Sequence, residues 1–154
     1  MARLIAADYQ GRELVVIGVL KGAFIFLADL VRQLDIPVVV DFIGASSYGA
    51  ESVSSGTITL TKTLSVEVRH KDVLLVEDIV DTGLTLRHLI AHLESLGARS
   101  VRVCAMIDKH ERRRAEVPVA YSGFQIGEGF LVGYGLDYNE HYRELPGIYH
   151  LKFK

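Results

Sequence analysis

In this chain, three apolar runs each stop at charged residues. Leu14 to Leu20 runs into Lys21-Gly22, Val73 to Val76 into Glu77-Asp78, and Val101 to Ile107 into Asp108-Lys109. If the runs are parallel strands, their carboxyl ends share one edge, where open parallel sheets bind ligands. Two lysines and three carboxylates then converge there. Taken singly, each end is an ordinary solvated strand end; taken together, they favour a site.

The most informative stretch is Glu77-Asp78-Ile79-Val80-Asp81-Thr82-Gly83-Leu84-Thr85, which carries three acids, two threonines and a glycine between a strand and a helix. Amide N–H groups at the helix start, joined by the Thr82 and Thr85 hydroxyls, make a natural phosphate cradle. Carboxylates beside a phosphate repel it unless they hold a divalent cation or accept hydrogen bonds from sugar hydroxyls. Glu77 and Asp78 suit either role, and the combination implies a phosphorylated sugar. Asp81, by residue type alone, is also an ordinary helix N-cap. The chain has no Gly-x-x-x-x-Gly-Lys-Ser/Thr loop, and no Gly-x-Gly-x-x-Gly follows the first strand, so nucleoside triphosphatase and dinucleotide readings lack their fingerprints.

These groups need a sheet to hold them. After Gly22, Leu27, Leu30, Val31 and Leu34 fall at helical spacing until Asp35-Ile36-Pro37, and Val38 to Ile43 is a second apolar run. Strand, helix, strand with unbroken apolar strands indicates a parallel sheet covered on both faces. Gly49 to Gly56 reads as a loop rich in Ser and Gly, and Thr57, Thr59 and Thr61 alternate with Ile58 and Leu60 as in a half-exposed antiparallel strand. A polar turn over Glu77 to Thr85 leads to a helix carrying Leu86, Leu89, Ile90, Leu93 and Leu96, which Gly97 ends. Tyr121 to Ile126, Phe130 to Tyr134 and a polar, aromatic tail follow. The pattern predicts an α/β fold: an open, mainly parallel twisted sheet flanked by helices, with a small appended hood lobe. One domain spans 1–154, its core about 12–120 and its hood about 121–154 together with the N-terminus.

With 17 basic against 19 acidic residues, the net charge is −2, so no global field draws the chain to nucleic acid or an anionic membrane. No apolar run is long enough to span a bilayer, and the single Cys104 lies in an apolar strand, where a buried, inert thiol is expected. A soluble, cytoplasmic protein is the expectation.

The stretch Val73 to Thr85 closely resembles the phosphoribosyl-pyrophosphate signature of type I phosphoribosyltransferases. Gly18-Val-Leu-Lys-Gly-Ala23, Ser46-Ser-Tyr-Gly49 and Phe130-Leu-Val-Gly-Tyr-Gly-Leu-Asp-Tyr-Asn-Glu140 resemble the hypoxanthine-guanine branch, in that family's order. The resemblance implies a magnesium-dependent purine salvage enzyme that transfers the phosphoribosyl group to hypoxanthine or guanine, and a homo-oligomer, dimer or tetramer. It implies that Asp81, Thr82, Gly83, Leu84 and Thr85 hold the 5′-phosphate, with Asp81 as the catalytic base. Glu77 and Asp78 would meet the ribose hydroxyls or Mg2+, and Asp137 would help hold the metal. Lys21 and Gly22 would form the pyrophosphate loop, with a cis peptide between Leu20 and Lys21, and Arg143 would reach pyrophosphate. On the purine side, Lys109 would donate to the 6-oxo group, Phe130 would stack on the ring and Leu131 would read the base edge through its backbone, with Asp137 nearby. Ser47 and Tyr48 would belong to a mobile loop that closes over the reaction.

By pattern alone Phe130 is equally a core aromatic, Arg143 a surface charge, His88 and His92 a solvated pair, and Arg112-Arg113-Arg114 a solvated turn. Relatives carry a further N-terminal helix, which is not expected here before the first strand at Leu14. A nucleotide-sensing regulator that binds RNA or DNA is the rival reading. It requires a broad basic face, to which only Arg112 to Arg114 contribute.

Overall fold

The structure, a computed structural model, describes residues 1–47 and 58–152. The apolar runs become strands β1 (Leu14–Leu20), β2 (Val38–Ser47), β4 (Asp72–Val80) and β5 (Ser100–Lys109). The antiparallel β3 (Ile58–Lys62) and the parallel β6 (Val119–Ile126) complete a sheet in the order β3-β2-β1-β4-β5-β6. Helices α1 (Ala2–Asp8), α2 (Phe24–Gln33) and α3 (Leu84–Ser95) cover it, and β7 (Phe130–Val132) pairs with β8 (Tyr149–Leu151) in a small separate sheet.

Side chains alternate along a strand, and here both faces are dry. Val15, Ile17, Val73 and Leu75 face Leu86, Leu89 and Leu93 of α3. Their neighbours Leu14, Val16, Leu74 and Val76 face Leu27 and Leu30 of α2 and Ile5 of α1. Burial of each such side chain contributes roughly 1.5–3 kcal/mol, so the two layers hold the central strands rigidly under the site. Cys104 is fully buried in the second layer, and desolvation pushes its thiol up to about 12.

Several boundaries move. Glu77, Asp78, Asp108 and Lys109 lie within β4 and β5 rather than in the turns after them, because the strands stay paired as far as Val80 opposite Asp108. The sheet continues through β6 to Ile126, past the core limit expected near 120. The N-terminus forms α1, which packs on the α2 layer of the core through Ile5, with Tyr9 just after it, instead of joining the hood. Seven residues are too few for a helical period to register in sequence. Asp81 caps no helix; Gly83, at φ +79°, is the N-cap of α3. Ser47 ends β2 opposite Ile58, whereas Tyr48 and the Gly49–Gly56 segment lie outside the described residues. Among the described residues no helix is long and apolar enough to cross a membrane.

Candidate active site

β1 feeds α2 and β2 on one side, while the next parallel strand, β4, returns on the other side of β1. The crevice above the β1/β4 boundary is therefore the topological switch point of the sheet. A cleft of about 310 Å3 lies there, walled by Lys21 and Gly22 in the turn after β1, Glu77 and Asp78 from β4, the turn Asp81 to Gly83 with Thr85, and Asp137 and Arg143 from the hood. Three separate stretches of the chain thus meet there, while Asp108 and Lys109 at the end of β5 do not line the cleft.

The acids at its floor are electrostatically constrained. Glu77 is buried, and desolvation, then the neighbouring Asp78 charge, pushes its carboxyl well above the ordinary range. Burial raises Asp78 as well. The pair resists carrying two negative charges in this setting, and its hard oxygens suit a divalent cation such as Mg2+. Among the described residues no three ligating side chains are grouped closely enough to hold an ion alone. The fit is to a cation that takes one or two carboxylates and completes its shell with water and substrate oxygens. Asp137 has other partners here: it meets Arg143 Nη2 at 2.8 Å and accepts the Glu140 N–H at 2.9 Å.

Of the residues expected to form a pyrophosphate loop, Gly22 is tightly packed and Lys21 is exposed. The Leu20–Lys21 peptide is cis. A Cβ on Gly22 would fall 1.6 Å from Asp78 Oδ2, so only glycine lets the loop close over the acid. The Lys21 side chain reaches out to Glu140 Oε2 at 2.9 Å. Arg143 donates to the Gly135 carbonyl at 2.7 Å, and its buried Nε has no hydrogen-bond partner.

On the opposite wall, α3 starts without a capping side chain at Gly83, which leaves first-turn N–H groups and the partial positive charge of the helix end for an anion. Among the described residues, the Leu84 N–H makes a long 3.4 Å contact to Thr82 Oγ1. Asp81 is held by its backbone; its Oδ1 is buried without a hydrogen-bond partner, and Oδ2 lies 3.5 Å from Arg112. A buried carboxylate oxygen with no donor is costly unless something else supplies one.

The residues expected on the purine side form a neighbouring group. Lys109, buried at the end of β5, donates to the Gly129 carbonyl at 2.9 Å and meets Glu111 at 3.0 Å. That bond ties β5 to the hood immediately before Phe130, a residue 42% exposed whose ring meets Tyr138 edge-on at 5.5 Å. Phe130 is thus a partly open aromatic face, not a core residue. Leu131 is buried against Met106, Ile107 and Leu136 and pairs with His150 across β7 and β8.

The phosphoribosyl transferase domain model matches residues 1–139. The chain is 46% identical over 156 aligned positions to hypoxanthine-guanine phosphoribosyltransferase of Dictyostelium discoideum, covering 99% of this chain and 87% of that protein. The chain belongs to the hypoxanthine-guanine phosphoribosyltransferase family. A second family member, from Aquifex aeolicus, is 46% identical over 97% of this chain and 84% of its own length. The crystal structure of the hypoxanthine phosphoribosyltransferase of Staphylococcus aureus superposes with a TM-score of 0.94 at 40% identity, over 98% of this chain and 82% of that one.

Within this phosphoribosyltransferase, sequence reasoning missed two residues. Glu140 stands between Lys21 and Arg143 Nη2, 3.5 Å from the latter; it ends the stretch Phe130 to Glu140, but nothing in residue type marks an acid that faces two cations. Arg113 is not part of a solvated turn. Its side chain is 10% exposed and bonded to Asp108, and only its two arginine neighbours are solvated. His88 and His92 stay apart from any metal-binding group among the described residues.

Proposed function

We propose that this enzyme moves the 5-phosphoribosyl group from phosphoribosyl pyrophosphate to hypoxanthine or guanine, giving IMP or GMP and pyrophosphate. The observation that carries the proposal is one cleft that sets the Glu77-Asp78 pair between the uncapped start of α3 and the cations Lys21 and Arg143. Such a cleft matches a substrate with a phosphate at one end, a sugar diol in the middle and a pyrophosphate at the other.

The 5′-phosphate takes the Thr82 to Thr85 amides and hydroxyls. The ribose hydroxyls donate to Glu77 and Asp78. Lys21 and Arg143 hold the pyrophosphate as its bond to C1 lengthens and positive charge builds on the sugar. When bound, Mg2+ supplies positive charge against the phosphate oxygens, with one or two carboxylates among Glu77, Asp78 and Asp137 as the side chains that would hold it. Lys109 donates to the 6-oxo group, Phe130 offers its exposed ring to the base and the Leu131 backbone reads its edge. The purine nitrogen that attacks C1 gives up its proton to Asp81, a role supported by an Oδ1 that has no other hydrogen-bond partner. The enzyme works in the cytoplasm, as a dimer or tetramer.

The test is a panel of hypoxanthine, guanine, xanthine and adenine incubated with phosphoribosyl pyrophosphate and Mg2+, with and without a chelator. Nucleotide should form from the first two bases and stop in chelator. Product from adenine alone, or undiminished product without metal, would overturn the reading.

A further inference from the structure

We propose that Arg113 is a positioning residue: its one guanidinium fixes the spacing between the loop that carries Asp81 and the strand end that carries Lys109. The proposal rests on the roles just assigned to those two residues. Strands β4 and β5 stay in register as far as Val80 opposite Asp108 and then part. Arg113 stitches the gap. Its Nε donates to the Asp81 carbonyl at 3.1 Å, and its Nη2 lies 3.1 Å from the Val80 carbonyl, 3.0 Å from that of Lys109 and 2.5 Å from Asp108 Oδ1.

The residues that follow extend the clamp. The Arg114 and Ala115 N–H groups both donate to the Thr82 carbonyl, at 2.9 and 3.0 Å. Gly83 turns with φ +79°, and a Cβ there would fall 2.4 Å from the Ala115 carbonyl, so the phosphate loop lies flat on this segment.

The chemistry of the side chain matters. A guanidinium donates from Nε and Nη2 in a fixed planar fork, whereas an ammonium is a flexible point donor that cannot hold both of those directions at a fixed spacing. Arg113 and Asp108 are both nearly buried, at 10% and 9% side-chain exposure, so the pair cannot rearrange into water. Asp81 receives the proton of the purine and Lys109 holds its oxygen, so the gap between them sets how squarely the ring nitrogen meets C1. A misplacement of about 1 Å can cost roughly a hundredfold in rate.

The experiment is a double-mutant cycle in the full-length enzyme with Arg113→Lys and Asp81→Asn, measuring kcat and KM for hypoxanthine together with the melting temperature. Arg113→Lys should lower kcat at least tenfold in the wild-type background and less than threefold in Asp81→Asn, while its effect on melting temperature is equal in both. Asp108→Asn, which releases one bond and keeps the shape, serves if Arg113→Lys does not fold, and should lose at least threefold with the same dependence on Asp81. Unchanged kcat, or equal losses in both backgrounds, overturns the proposal. The role of Asp81 is read separately, from the Asp81→Asn single variant.

Discussion

Lys21 Nζ and Glu140 Oε2 meet at 2.9 Å across 119 positions of sequence, and the same carboxylate lies 3.5 Å from Arg143 Nη2. An internal anion thus sits on the two cations assigned to pyrophosphate, and the incoming substrate has to displace it. Exposed ion pairs of this kind are weak, so removing one changes affinity by at most about fivefold. Glu140→Gln should therefore bind pyrophosphate up to about five times more tightly, by isothermal titration. Weaker binding would instead make Glu140 a brace for Lys21.

Asp81→Asn keeps the shape of the loop and removes the base. Turnover should fall by about a hundredfold or more, while affinity for phosphoribosyl pyrophosphate stays nearly unchanged, since Thr82, Gly83 and Thr85 still line the cleft. Steady-state kinetics and a direct binding measurement check the two halves separately; turnover within twofold of wild type would falsify the assignment.

Lys109 can donate but not accept, and two of its contacts, to the Gly129 carbonyl and Glu111, are already made. A 6-oxo group accepts what remains. Adenine places a donor there, and a site built around a polar partner rejects such an analogue by roughly 10⁴-fold. Lys109→Gln should narrow the ratio of kcat/KM between hypoxanthine and adenine. An unchanged ratio would take Lys109 out of base selection.

At the far end of the sheet, Asp72 is buried and bonded to Arg99 Nε and Nη2 at 3.0 and 2.5 Å and to Ser100 at 2.6 Å. The Arg99 hydrogen bonds, with smaller help from Ser100, hold its carboxyl down at about 2, below the usual 3.8. The folded value lies below the unfolded one, so the stabilisation is complete above about pH 4 and is lost as pH falls toward about 2. Asp72→Asn should cost about 2 kcal/mol at neutral pH and lose little further stability on acidification through that window. Urea titrations of both proteins at pH 7 and about pH 3 give the comparison.

The strands were legible because burial on both faces leaves unbroken apolar runs, and the turn before α3 because its acids, threonines and glycine share one short stretch. What depends on long-range packing was not. Arg113 in an arginine triplet has the composition of a solvated turn, and only the fold brings its guanidinium beneath the carbonyls of Val80 and Asp81. Glu140 has no local signal either, since its partner Lys21 belongs to the first strand. The N-terminal helix is held by Ile5 and the Tyr9 that follows it against the sheet, a tertiary effect that a seven-residue element cannot announce by period.

Cys104 is the only thiol in the chain, and the core both hides it and keeps it protonated. The native surface is therefore blind to maleimides and disulfide reagents, and labelling with them in the absence of denaturant becomes a clock for opening of the α2 layer. The same silence lets a cysteine introduced on the hood or on α3 carry a fluorophore alone, so distances across the cleft can be followed during turnover without first removing a native residue.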